Sequence, residues 1–254
     1  MRKKYALCVG INDYPGSVND LHGCVNDAMD WSELLQREGY TVIQLLDGQA
    51  TKQAVVNTLT HLVEQTGWAD RLVFTYSGHG TWVPDQNGDE SDGRDEAMCM
   101  YDFNAGGLLL DDDLADIFAP MRYGSRALVL SDSCHSGTVT RALNLSPYGT
   151  RFISPATFTD IAPEAAQAIE NKVAGSPRKA ASLISGCGDT EYSYDASFNG
   201  RPNGAFTAAA INAYTPGATL RAWYDRIRAA LPSDNYPQTP QLTATNYRAL
   251  TRAL

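Results

Sequence analysis

Two short segments carry the residues able to do covalent chemistry. Ser77-Gly78-His79-Gly80 sets an imidazole between two glycines, and Asp132-Ser133-Cys134-His135-Ser136-Gly137 sets a thiol among small polar residues. A thiol attacks a carbonyl as the thiolate, and a neighbouring imidazole supplies the base or the positive charge that produces one. The backbone N–H groups of Gly80 and Cys134 are the candidates to stabilise the oxyanion that such an attack creates. Taken singly, a cysteine after a strand is more often a small buried apolar residue, and a single histidine a surface or hydrogen-bonded one. Two matched motifs, each at the end of a strand-like run, turn the reading towards a nucleophile, Cys134, and a general base, His79.

The elements that must position them alternate along the chain. Apolar strand-like runs lie at residues 5–11, 40–46, 72–76, 127–130 and 181–185. Helical periodicity covers residues 26–38, 51–65, 205–214 and 220–231, the last ended by Pro232. Strands alternating with helices predict an α/β fold with a mainly parallel sheet covered on both faces. Such a sheet places function at the carboxyl ends of its strands, where both motifs fall. Residues 82–96, rich in Asp, Glu, Gly and Asn, interrupt the alternation. Residues 141–179 read as a flexible connection between a larger front part, 1–140, and a smaller back part, 180–254, of one domain spanning 1–254.

Composition narrows the partners. The chain has 254 residues and a formal net charge of -9, which disfavours nucleic acid and anionic membranes and suits basic peptides or cations. No apolar run is long enough to span a bilayer, and the basic start Met1-Arg2-Lys3-Lys4 is followed by no cleavage site, so no signal peptide is expected. The five cysteines are odd in number and none are closely spaced, which suggests neither a disulfide framework nor a zinc ribbon and fits a reducing, cytoplasmic setting best.

The two motifs together resemble those of the metacaspases and their bacterial relatives, the orthocaspases. Val9-Gly10-Ile11-Asn12, residues 21–28, residues 108–114 with Asp111-Asp112-Asp113, Ile184-Ser185-Gly186-Cys187 and Gly204-Ala205-Phe206-Thr207 agree in order and spacing, over roughly residues 4–215. The resemblance implies a caspase-like fold, a Cys–His dyad, and hydrolysis of peptides or proteins after a basic residue by a monomeric endopeptidase. The family's acidic pocket maps onto Cys24, Asp27, Ser77 and Asp132, which favours Arg, with Lys accepted less well. Asp132 lies two residues before Cys134, so a strand carries both on one side. Without the resemblance, Asp27 reads equally as a helix N-terminal acid and Asp132 as a structural carboxylate. Alternatives are a non-catalytic module of the same fold and a clan relative with another specificity, such as the asparagine-cutting legumains. His135, His22 and His61 read as structural or surface residues.

Calcium activates many members of that family, and Asp95, Asp111 and Asp112 match three of its metal positions. The fourth falls on Arg141, whose guanidinium would repel the ion and neutralise the acids, so no cofactor is expected to be required. Asp85, Asn87, Asp89 and Glu96 echo an EF-hand spacing, but Glu90 occupies the place that needs glycine, and the stretch reads as a solvated acidic loop. The family often cuts itself, and residues 141–179 offer Arg141, Arg151, Lys172, Arg178 and Lys179 as basic sites; incidental charges in a loop are an equal reading.

Overall fold

The structure, a computed structural model, describes residues 2–84, 94–134, 149–155, 181–188, 191–249 and 251–254. Six strands form the central sheet: β1 (Lys4–Gly10), β2 (Thr41–Leu46), β3 (Arg71–Ser77), β7 (Arg126–Asp132), β8 (Ala181–Ser185) and β11 (Gln241–Thr243). Their spatial order is β2-β1-β3-β7-β8-β11. All neighbours are parallel except the edge pair β8 and β11. The chain leaves β1 for β2 on one side and returns to β3 on the other, a reversal that opens a crevice at the carboxyl ends of β1 and β3.

Alternation along β1 explains the layering. Leu7 and Val9 join the apolar cluster under α2 (Lys52–Gln65), while Ala6 and Cys8 join the opposite one. That second cluster collects Ala28, Trp31, Leu34 and Leu35 of α1 (Cys24–Arg37), Phe206 and Ala210 of α4 (Ala205–Ala213), and Leu220, Trp223 and Ile227 of α5 (Leu220–Ala230). Spacings of three and four put each set on one helical face, and burying both faces of the sheet requires both sets. The caspase-like α/β architecture expected from the sequence is the one observed.

Two small sheets lie beside the large one. β4 (Gly80–Pro84), β5 (Arg94–Cys99) and β6 (Leu108–Leu110) form an antiparallel sheet at the excursion expected around residues 82–96. β9 (Asp195–Phe198) and β10 (Arg201–Gly204) form a hairpin. A short helix, α3 (Asp111–Phe118), begins with the Asp111-Asp112-Asp113 run, and three carboxylates in a first turn suit the positive end of the helix dipole. No helix among the described residues is long and apolar enough to cross a membrane.

Candidate active site

Parallel register brings the two motifs together. Gly10 of β1 stands beside Ser77 of β3, and Ser77 beside Asp132 of β7. His79 follows Ser77 by two residues and Cys134 follows Asp132 by two, so the imidazole and the thiol reach the same end of the sheet. Gly80 lies flat on the Cys134 main chain, where a Cβ would run into the Cys134 carbonyl oxygen. That approach accounts for the glycine after the histidine.

His79 is buried and held through its backbone. Its N–H donates to the Tyr14 hydroxyl (3.0 Å), and its carbonyl accepts from the Tyr76 hydroxyl (2.7 Å). The Tyr14 ring packs on the imidazole with centroids 5.0 Å apart. Nε2 lies 2.8 Å from the carbonyl oxygen of Asn19. A carbonyl can only accept, so Nε2 carries the hydrogen and Nδ1 the lone pair. Among the described residues Nδ1 has no hydrogen-bond partner. Burial pushes the imidazole down to about 4, so it is neutral and able to take a proton at neutral pH. The Cys134 thiol is also buried. It donates to the Ser193 carbonyl (3.2 Å) and accepts from the Ser193 N–H (2.6 Å).

Arg151, inside the connection that the sequence suggests is flexible, passes through the middle of this site. Its guanidinium lies 2.7 Å from Asp27, 3.0 Å from Asp195 and 3.2 Å from Asp132, all four side chains being buried. Its carbonyl oxygen accepts from the N–H of Gly80 (2.9 Å) and from that of Cys134 (3.1 Å). Its own N–H donates to the Ser193 carbonyl (3.1 Å). Upstream, Thr150 bridges Tyr194 in antiparallel fashion and the Gly149 carbonyl accepts from Asp195 N–H (3.3 Å). Downstream, Phe152 bridges Gly80 and the Ile153 N–H donates to the Gly80 carbonyl (3.0 Å). Residues 149–153 thus run through the site as an added strand, gripped by main-chain hydrogen bonds on both sides of one peptide bond.

The acids around Arg151 are themselves tied down. Asp132, on the α4 side of the sheet, accepts from the N–H (2.9 Å) and hydroxyl (2.8 Å) of Thr207 in the first turn of α4, and from the Ser193 hydroxyl. Asp27 accepts from Gly204 N–H (2.9 Å) and the Asn203 amide (3.0 Å). Asp195 accepts from the backbone N–H groups of His22 (2.7 Å) and Gly23 (3.1 Å). Gly204 leaves the room for this crowd, since a Cβ there would strike both Asp132 and Arg151. Burial works against the guanidinium's charge, but Asp132, Asp27 and Asp195 outweigh it and hold Arg151 above its ordinary value. Burial and the neighbouring Asp132 push the Asp27 carboxyl up, against the pull of Arg151 and of the Gly204 N–H.

Of the four pocket residues expected from the sequence, Asp27 and Asp132 meet on the guanidinium. Cys24 is buried within their electrostatic reach, its thiol raised by burial, and Ser77 sits beside Asp132 with its hydroxyl unpartnered among the described residues. Asp195 and Ser193 are additional. They lie at and before the start of the β9–β10 hairpin, and only its long-range packing brings them here. Asp95 is buried on β5 and Asp111 opens α3. Burial of the Asp111 carboxyl end, although the residue as a whole is exposed, and the nearby Asp112, Glu96 and Asp95 raise it to about 7. A cation would relieve that crowding. Yet among the described residues no three His, Cys, Asp or Glu side chains converge as a metal-binding set. Arg141, His135 and residues 85–93, with Asp85, Asn87, Asp89 and Glu90, lie outside the described residues; so do Lys172, Arg178 and Lys179. His22 and His61 are exposed, as expected.

A family model described as metacaspase, peptidase C14 domain, matches residues 3–143. Metacaspase-1 of Meyerozyma guilliermondii is 33% identical over an alignment covering 96% of this chain and 70% of the relative. Metacaspase-1 of Cryptococcus neoformans is 34% identical, with 96% and 63% covered, and that of Yarrowia lipolytica 34%, with 96% and 62%. The chain therefore spans less than two thirds of the length of the latter two. A crystal structure of a Geobacter sulfurreducens protein superposes with a TM-score of 0.78 at 31% identity, covering 99% of this chain and 98% of that one.

Proposed function

The chain belongs to the metacaspase family of cysteine-type peptidases, and from that premise we propose that it hydrolyses peptide bonds after Arg, and less well after Lys, by a Cys134–His79 dyad. The observation that carries this reading is Arg151. Its side chain fills an acidic pocket while its carbonyl oxygen lies between two backbone N–H donors, at 2.9 and 3.1 Å, the distances at which an oxyanion is stabilised.

The chemistry follows from that pose. The Cys134 thiol turns from Ser193 towards His79, whose Nδ1 takes its proton. Sulfur bonds to the carbonyl carbon, and the carbonyl electrons move to the oxygen held by Gly80 and Cys134. Collapse breaks the C–N bond, and His79 returns the proton to the departing amine. Water, deprotonated by His79, then attacks the thioester carbon; the C–S bond breaks, His79 returns the proton to the Cys134 sulfur, and the new acid leaves as the carboxylate with its proton lost to solvent. Asp27, Asp132 and Asp195 act by binding the basic side chain, which fixes the carbonyl over the thiol.

The same pose selects Arg151–Phe152 as a bond the chain cuts in itself, within the 141–179 connection. Calcium is not required in this reading, with Arg141 standing in for the ion; activity abolished by EGTA and restored by calcium overturns that part. The peptidase acts as a monomer in a reducing compartment, to which five free, buried cysteines are suited. The test compares wild type with Cys134→Ala on fluorogenic peptides ending in Arg, Lys, Asn or Asp, and sequences the N-termini of any fragments. Turnover at Arg above Lys, with a fragment beginning at Phe152, both absent from Cys134→Ala, is the expected result. Turnover only at Asn, no turnover by wild type, or a cut that persists in Cys134→Ala contradicts it.

A further inference from the structure

The contacts of the strand threaded through the site do not stop at Arg151. Gly80 grips this strand twice, donating its N–H to the Arg151 carbonyl and accepting from the Ile153 N–H. With the backbone fixed at residues 151 and 153, the side chains of Phe152 and Ile153 go to opposite faces. Phe152 stands edge-on to Tyr192, with ring centroids 6.4 Å apart and planes at 76°. Ile153 is 2% exposed and joins the large apolar cluster on the α2 side of the central sheet, to which Val83, Ala97 and Met98 of the small antiparallel sheet also belong. Burial this complete is more than a passing connection needs. A segment held only by Arg151 would leave the two residues that follow it in water.

Resting on the reading of Arg151 as the residue before the cut, we propose that the peptidase carries two further subsites beyond the scissile bond. The first is an aromatic-lined S1′ built on Tyr192, and the second a buried apolar S2′ beside Gly80 at the start of β4. The substrate class is an extended peptide with a basic residue followed by an aromatic and then a branched aliphatic one. Side-chain selection comes from the two pockets, and register comes from the paired hydrogen bonds to Gly80. The small sheet inserted between His79 and the rest of the domain thereby becomes part of the substrate-binding surface.

The test uses internally quenched peptides on the self-cleaved wild-type enzyme: Gly-Thr-Arg-Phe-Ile-Ser, the same peptide with Gly-Gly in place of Phe-Ile, each single replacement, and the parent with Ala in place of Arg. The Phe-Ile peptide is expected to exceed the Gly-Gly peptide in kcat/KM by roughly tenfold or more, as burying an aliphatic side chain and pairing an aromatic one imply. In Tyr192→Ala the advantage of Phe over Gly shrinks while that of Ile over Gly remains. Equal turnover of all the Arg peptides by wild type overturns the two subsites and leaves the basic pocket standing. Failure to cut any Arg peptide, or equal cutting of the Ala peptide, overturns the reading of Arg151 itself and the subsites with it. The wild-type ratios decide the matter even if Tyr192→Ala does not fold.

Discussion

Replacing Asp27 by Asn probes the acidic pocket at its shortest contact. The Asp27 carboxylate accepts from the Arg151 guanidinium at 2.7 Å, from Gly204 N–H at 2.9 and 3.1 Å, and from the Asn203 amide at 3.0 Å. Every group facing it is a donor, so a carboxylate satisfies all of them. An amide must turn its own NH2 towards one of them and leave two donors face to face. The variant therefore loses one charge-assisted bond to a buried cation, worth about 1.5–3 kcal/mol, and gains a mismatch. At about 1.4 kcal/mol per decade, kcat/KM on Arg peptides should fall roughly 10- to 150-fold. Self-cleavage should slow by a similar factor, because Arg151 makes the same contact. Glu33 provides the control on the same helix. It pairs with Arg37 at 3.9 Å and both side chains are largely in water, so Glu33→Gln should change kcat/KM by about twofold or less. Initial rates on matched Arg and Ala peptides, with thermal melts to confirm folding, make the measurement. If folded Asp27→Asn cuts Arg peptides as fast as wild type, the acidic cluster is architecture around Arg151 and not a pocket for substrate.

Other outcomes follow from the same geometry. His79 is held down to about 4 by burial and should return towards about 6.5 once the threaded segment leaves and water enters. Protonation removes the base as pH falls, so self-cleavage by the intact chain should keep its acid limb near 4. Turnover of added peptides by the opened enzyme should lose half its rate nearer 6; pH–rate profiles with coincident limbs would argue against the burial account. Gly80→Ala pushes a methyl group into the Cys134 carbonyl and displaces one of the two N–H donors to the Arg151 carbonyl oxygen. It should cost roughly 100- to 1,000-fold in kcat, and a loss under tenfold in a folded variant would exclude Gly80 N–H from stabilising the oxyanion. Trp223 is fully buried, edge-on to Trp31 at 6.1 Å and to Tyr214 at 5.4 Å, and its indole N–H donates to the Ala210 carbonyl at 2.8 Å. Trp223→Ala should cost about 3–5 kcal/mol in denaturant titrations of a Cys134→Ala background. A much smaller loss there would mean that the α5 face is not core.

The parts legible in the sequence were those set by local periodicity. Residues 72–76 and 127–130 are apolar runs closed by Ser77-Gly78 and Ser131-Asp132, and the structure makes them the neighbouring central strands β3 and β7. The offset of two from Ser77 to His79, and from Asp132 to Cys134, could therefore be converted into a shared sheet end before any fold was known. Asp195 could not be found that way. It reaches the pocket because the β9–β10 hairpin packs against the start of α1, where Asp195 accepts from His22 and Gly23, far away in sequence. Strands of three and four residues such as β6 and β9 are too short for alternation to show. Arg151 was one of five basic residues in a stretch of mixed composition with no period. Nothing in that composition separates a residue held by three carboxylates from one in solvent, because the difference lies entirely in the partners.

The pairing of β7 with β8, from Ala127 opposite Ala181 to Ser131 opposite Ser185, has a thermodynamic corollary for the threaded bond. The two strands lie on opposite sides of Arg151 in the chain, as do Asp30 of α1 and its bidentate partner Arg201 of β10. Once the Arg151–Phe152 bond is broken, these contacts hold two separate polypeptides in one particle, which migrates as a single species until denatured. Recovery from denaturant then changes molecularity: the intact chain refolds in a first-order process, whereas the nicked one must find its other half by diffusion. Its midpoint of unfolding becomes dependent on protein concentration. A single hydrolysis therefore turns a protein that can refold from its own chain into a two-chain complex whose reassembly slows with dilution.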